Sequence, residues 1–265
     1  MIINIPESIQ DIYTVGDVHS AWNVVIYHIK QYKIQNSAFI FCGDVGVGFN
    51  SLEYYMNTVI PELHKTLKKF NDIFLWIRGN HDNPEYYNEQ LINTEYVKTI
   101  PDYSIIKGLG HNILCISGAT SIDRTSRIAY DNREIIRYMQ YHNCNYKEAE
   151  QKARKTYWED EAIVYQPKVE EPIDIICSHS APSFCYPYDK GSIVQAYAEY
   201  DPKLIEDITK ERQVLDKVYE DYKDTLTHWY YGHFHQSNME TINGVMFKLL
   251  NIGEICRHVN SDLNG

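Results

Sequence analysis

Short apolar runs and helical patterns alternate along this chain. Residues 11–16, 38–43, 73–78, 113–118, 173–178 and 227–232 are mostly β-branched or aromatic, and each run ends at Gly or a polar residue, as buried strands do. A further run, 245–250, follows Asn243-Gly244, a pair that favours a two-residue hairpin. Residues 20–30 and 52–70 carry helical spacing, the second interrupted at Pro61. A late helix is predicted from Asp201-Pro202, an acceptor cap followed by Pro in the first helical position. Its apolar residues Leu204, Ile208, Leu215, Val218 and Tyr222 keep to one face. Strands alternating with helices, then strands near the end, predict a layered α/β fold.

Residues 123–172 break the pattern. Nineteen of these 50 residues are charged, against 23% overall, and no strand alternation is visible. Only 146–158 has convincing helical spacing. A structureless loop of that length is uncommon, so the segment reads as a charged, partly helical insertion lying over the core.

Composition narrows the class. At 265 residues, the chain accommodates one large α/β domain with an insertion or two small domains; a single domain over 1–265, with 123–172 as its cap, is expected. No run approaches the 18 or more apolar residues of a membrane helix. Residues 1–5 have neither a basic nor a long apolar region, so no export signal is expected. With 25 basic and 36 acidic residues the net charge is −11, which repels nucleic-acid backbone and anionic membrane but admits a small phosphorylated substrate at a locally positive site. Six cysteines include no Cys-x-x-Cys pair, so a zinc ribbon is excluded and a reducing, cytoplasmic setting is expected.

Five polar motifs fall where strands should end: Gly16-Asp17-Val18-His19, Gly43-Asp44-Val45-Gly46, Gly79-Asn80-His81-Asp82, Ser178-His179-Ser180-Ala181-Pro182 and Gly232-His233-Phe234-His235. Each alone could be a turn. Open α/β sheets gather ligands beyond the carboxyl ends of their strands, so these loops can converge on one cleft. The set offers Asp17, His19, Asp44, Asn80, His179, His233 and His235 as donors. That is enough for two cations if one carboxylate bridges, and mixed N/O donors without thiolate suit Mn, Fe or Zn.

The ordered set resembles the calcineurin-like metallophosphoesterases, whose pattern is Asp-x-His, Gly-Asp, Gly-Asn-His-Asp/Glu, His and Gly-His-x-His. The resemblance implies a four-layer α/β/β/α sandwich and a phosphomonoester or phosphodiester hydrolase acting on a phosphorylated small molecule or phosphoprotein. It also implies one metal on Asp17, His19, Asp44 and His235, and a second on Asp44, Asn80, His179 and His233, with Asp44 bridging. His81 would protonate the leaving alkoxide, and Asp82 would orient its imidazole.

Two departures matter. Phosphoprotein phosphatases of that group follow Gly-Asp with an Asp-Arg-Gly whose Arg grips phosphate; here Val45-Gly46-Val47-Gly48 follows Asp44. Arg124 or Arg127 is the expected substitute, since Arg offers a bidentate fork to phosphate. The same arginines could instead pair with acidic residues of their own segment, and Arg78, before Gly79, is expected to be structural. Ser117-Gly118-Ala119-Thr120-Ser121-Ile122-Asp123-Arg124 and Trp158-Glu159-Asp160-Glu161 are loosely similar to bacterial and phage members. The alternative to an enzyme is a protein-interaction scaffold on the same fold; scaffold members typically lack one or more of these residues, and here all are present.

Overall fold

The computed structural model describes residues 1–189 and 191–259. The first half of the chain runs β1 (Ile2–Asn4), β2 (Asp11–Val15), α1 (Trp22–Tyr32), β3 (Ser37–Phe41), α2 (Leu52–Tyr54), a π-helical turn (Tyr55–Val59), α3 (Ile60–Phe70), β4 (Ile73–Trp76), α4 (Pro84–Asn88), β5 (Val97–Thr99), β6 (Ile105–Gly108) and β7 (His111–Ile116). The second half runs α5 (Arg124–His142), α6 (Tyr146–Lys152), β8 (Ile175–Ser178), α7 (Gly191–Ala198), α8 (Leu204–Tyr222), β9 (His228–Tyr231), β10 (Asn238–Ile242), β11 (Val245–Leu249) and β12 (Ile255–Arg257).

The strands form two sheets, ordered β1-β6-β7-β8-β9-β11-β10 and β12-β2-β3-β4-β5. In the smaller sheet β2, β3, β4 and β5 are parallel, and in the larger β7, β8, β9 and β11 are parallel. Side chains alternate across each strand, which sorts the core into three layers of contact. Ala38 and Ile40 of β3 face Ile113, Cys115, Ile175 and Cys177 of the larger sheet, so the sheets pack face to face. Phe39 and Phe41 point the other way, onto Val25 and Ile29 of α1 and Leu63 and Leu67 of α3. On the far face of the larger sheet, Ile176, Trp229 and Phe247 pack on Leu215, Val218 and Tyr222 of α8. The result is the four-layer α/β/β/α sandwich.

The seven strands read from the sequence all form, and Asn243 and Gly244, at φ 51 and 83, turn the β10–β11 hairpin. Two readings need correction. The insertion's main helix is α5, 19 residues long, whereas the expected helix at 146–158 ends at Lys152. Only Arg127, Asp131 and Ile135 of α5 are buried, so it presents no apolar stripe to read. Its anchor is polar: the Asp131 carboxylate accepts from the backbone of Thr156 and Tyr157. The late helix starts at Leu204 because Asp201 and Pro202 first form a turn, with Leu204 N–H donating to Asp201 O. Among the described residues, no helix is long and apolar enough to cross a membrane.

Candidate metal centre

The motif loops leave β2, β3 and β4 of one sheet and β8 and β9 of the other, so they meet where the carboxyl ends of both sheets adjoin. Several do so in strained backbone. His19, Asp44, His233 and His235 sit at φ 44, 48, 69 and 50, the left-handed region that non-glycine residues enter only when surrounding structure holds them there.

Asp17, His19, Asp44 and His235 form one cluster, with a donor atom from each lying within 4.8 Å of the others. His19 Nε2 and His235 Nε2 are 3.3 Å apart. Asp17 is fully buried; its Oδ1 accepts from His233 N–H at 3.0 Å. Its Oδ2 has no partner in hydrogen-bond geometry and lies 3.1 Å from His235 Nε2. A buried carboxylate oxygen facing two imidazole nitrogens is costly without a cation and satisfied by one, so these residues fit a metal ion.

The second cluster adjoins the first through Asp44. His179 Nε2 lies 3.3 Å from Asp44 Oδ1 and 2.9 Å from Asn80 Oδ1. The His179 ring is wholly buried, and its Nδ1 lies 2.7 Å from the Cys42 carbonyl, which takes the Nδ1 proton and aims Nε2 at the site. The His233 ring centroid is 4.9 Å from that of His179. Charge sets the titration here. Burial would depress the His179 pKa, but the Asp44 and Asp17 carboxylates push it up to about 10. Burial opposes ionisation of Asp44, yet His179, His81 and His19 together hold its pKa well below the usual carboxylate range. Burial and then His179 drive His233 well below an ordinary imidazole. His81, half-buried at the edge of the cleft, donates its backbone N–H to Asp44 Oδ1 at 2.8 Å. Its ring lies 5.3 Å from that of His19, and burial lowers its pKa.

Three residues have partners other than those expected. Among the described residues, no hydrogen bond joins the fully buried Asp82 carboxylate to the His81 imidazole. Its carboxylate accepts from the backbone N–H groups of Val45, Gly46, Val47 and Gly79, shaping the loop that carries Asp44. Arg124 is paired with carboxylates: its Nε and Nη2 donate to Asp201 at 2.5 and 3.1 Å, and Nη2 donates to Asp207 at 2.7 Å. Those acids lie outside its own segment. Arg127 is 7% exposed and donates to Ser121 Oγ at 2.5 Å and to the Asn80 carbonyl at 3.3 and 3.4 Å, which spends its fork beneath the site. Arg78 is structural, donating to the Glu161 carbonyl at 2.9 Å.

Four supporting residues were given no role in the sequence reading. Ser121 Oγ accepts from Asn80 Nδ2 at 2.8 Å and donates to Glu161 Oε2 at 2.6 Å, and Ser121 N–H donates to Glu161 Oε1 at 2.7 Å. Burial pushes the Glu161 carboxyl up to about 7. On α8, the buried Glu211 accepts from Thr120 N–H, and Arg212 donates to the carbonyls of Ala181, Pro182, Cys185 and Pro187. Glu211 falls on the apolar stripe between Leu204 and Leu215, and a charge on that stripe was the readable signal.

No curated protein matches the chain. Among solved structures, it is similar to a phosphopantetheinyl hydrolase from Mycobacterium tuberculosis at 13% identity and TM-score 0.41, over 93% of this chain and 91% of that one. It is also similar to GAP50, the anchor in the inner membrane complex of Plasmodium, at 14% identity and TM-score 0.40, over 91% and 70%. A cold-active protein tyrosine phosphatase matches at 14% identity and TM-score 0.34, over 97% and 75%. The family profile of the calcineurin-like phosphoesterases matches residues 11–237, from the start of β2 to just past His235. With that match spanning most of the chain and both donor clusters inside it, the chain belongs to the calcineurin-like phosphoesterase family.

Proposed function

We propose that this protein is a dinuclear metal-dependent phosphoesterase, hydrolysing phosphomonoesters or phosphodiesters. The observation that carries this reading is the division of the Asp44 carboxylate: Oδ1 lies 3.3 Å from His179 Nε2 and Oδ2 lies 3.8 Å from His19 Nε2. One carboxylate therefore faces both clusters, as a bridging ligand must. Asp17, His19, Asp44 and His235 would hold one ion, and Asp44, Asn80, His179 and His233 the other. Their N/O donor set suits Mn, Fe or Zn, because the cysteine thiols take no place in it. When bound, two such ions polarise the phosphoryl group and lower the pKa of a water.

The remaining work belongs to the chain. Asp17 and Asp44, both buried, supply negative charge where the substrate brings more, so cations are required before a phosphate can enter. His81, beside the bridging carboxylate and not needed as a ligand, is the group placed to protonate the departing alkoxide. Asp82 holds the Asp44 loop through the N–H groups of Val45, Gly46 and Val47 and closes its own turn through that of Gly79. The complete donor set supports an enzyme over a scaffold.

The test is a panel assay with Mn²⁺, comparing p-nitrophenyl phosphate, bis-p-nitrophenyl phosphate, cyclic nucleotides, phosphopeptides and single-stranded DNA, alongside metal analysis. Two ions per chain with hydrolysis of at least one substrate is expected. Fewer than two ions overturns the dinuclear reading. Two ions without turnover on any substrate restores the scaffold.

A further inference from the structure

We propose that Glu161 and Ser121 are positioning residues that set which end of the Asn80 amide faces the second metal position, an inference that rests on the dinuclear reading. The polarity of one hydrogen-bond chain fixes the outcome. Above about pH 7, past the value to which burial raises Glu161, its carboxylate only accepts, so Ser121 Oγ must donate its single proton to Glu161 Oε2, 2.6 Å away. That leaves the Ser121 oxygen only its lone pairs, which accept from Arg127 Nη1 at 2.5 Å and from the Asn80 side chain at 2.8 Å. A group that can only accept selects the NH₂ end of an amide. The Asn80 NH₂ therefore turns to Ser121, and the Asn80 carbonyl oxygen turns to the cleft, where it lies 2.9 Å from His179 Nε2. Only that end carries a lone pair for a cation; the flipped amide would present two protons to it.

The relay is built and shielded. Ser121 is fully buried, and Glu161, Arg127 and Asn80 are 3%, 7% and 3% exposed, so water cannot substitute for a missing member. A second bond from Ser121 N–H to Glu161 Oε1 fixes the carboxylate at 2.7 Å. Arg127 adds a further restraint by donating to the Asn80 backbone carbonyl. Its charge, 3.8 Å from Glu161 Oε2, favours the ionised carboxylate that the polarity requires. The two sequence segments that bear no metal ligand, 117–124 and 158–161, thus meet behind one ligand.

The inference separates the two metal positions, because Asn80 belongs to one of them alone. The experiment is calorimetric titration of metal-free protein with Mn²⁺ at pH 8, with the melting temperature of each metal-free variant measured in parallel. Ser121→Ala and Glu161→Gln are expected to weaken one of the two ions by roughly 10- to 100-fold, the usual cost of losing an outer-shell partner, and to spare the other. Glu161→Gln keeps the side-chain shape but turns an amide donor on an oxygen already facing two donors. Ser121→Thr keeps the hydroxyl and is expected to bind both ions as the wild type does. Wild-type affinity for both ions in Ser121→Ala and Glu161→Gln overturns the inference. So does equal weakening of both ions, or failure of Ser121→Thr to restore the pattern. Should Ser121→Ala fail to fold, Glu161→Gln against wild type decides alone. A wild-type protein that binds fewer than two ions overturns the dinuclear reading instead.

Discussion

A β-carbon on Gly79 would overlap both the backbone nitrogen and Oδ1 of Asp44. The loop after β4 is thus pressed against the carboxylate that faces both donor clusters, and only a hydrogen fits between them. Gly79→Ala is expected to push Asp44 aside. Mn²⁺ binding should weaken by at least 10-fold, with about 1–3 kcal/mol lost from the metal-free protein as for other overpacked sites. Calorimetric titration and metal-free melting would measure the two effects separately. Wild-type affinity would show that the Asp44 position is not what the loop protects.

His81→Asn should lower turnover while leaving metal content unchanged. The His81 backbone N–H holds Asp44, and that bond survives the substitution; the imidazole does not. Positioned proton transfer contributes roughly 10²- to 10⁴-fold, so a loss in that range is expected on an alkyl phosphate ester. A p-nitrophenyl ester should lose much less, because its leaving group needs little protonation. Equal losses on both esters would remove the proton-donor role.

Arg124 and Arg127 should separate cleanly by variant. Arg124 ties the start of α5 to Asp201 and Asp207 ahead of and within α8, so its fork is already engaged by two carboxylates. Arg124→Ala is expected to cost about 1–3 kcal/mol of stability, the scale of a charged hydrogen-bond pair, at unchanged KM. Arg127→Ala should instead weaken metal binding, since it removes a donor from Ser121 and from the Asn80 backbone. A raised KM in Arg124→Ala would return that residue to the substrate.

The core strands and the motifs that carry the seven candidate donors were legible because both are local signals: β-branched runs bounded by Gly, and short polar motifs at their ends. The strands β1, β5, β6, β10 and β12 were not: β1 and β12 owe their pairing to partners distant in sequence, as Ile3 does to Ile106, and β10 alternates exposed and half-buried residues at the edge of its sheet. Helix α5 escaped for a different reason: it is anchored by Asp131 and Arg127 and not by an apolar face. The roles of Arg124, Arg127 and Asp82 could not be read either. An arginine near a site and an aspartate beside a histidine have many possible partners, and only three-dimensional proximity selects among Asp201, Ser121 or a backbone amide.

Asp72 lies at the opposite end of β4 from the metal cleft, fully buried, with Oδ1 accepting from Ser37 N–H at 2.9 Å and Oδ2 outside any hydrogen bond. Burial pushes its pKa up to about 7, against the partial relief of the Ser37 bond. The sign follows from which state holds the proton. Between about pH 4 and 7 the folded protein keeps the Asp72 proton and the unfolded chain has lost it, so this residue's contribution to stability falls as pH rises through that window. Above pH 7 the cost is complete and constant. Asp72→Asn keeps the acceptor for Ser37 and never bears the charge, so it should melt about 2–4 °C above wild type at pH 8, the shift that about 1 kcal/mol produces in a chain of this size. The gap should narrow on acidification and vanish near pH 4. Melting both proteins in chelator at pH 4, 6 and 8 keeps the metal ligands' own proton linkage the same in each. A gap independent of pH, or a variant less stable at pH 8, would mean that Asp72 is ionised at no cost in the folded protein.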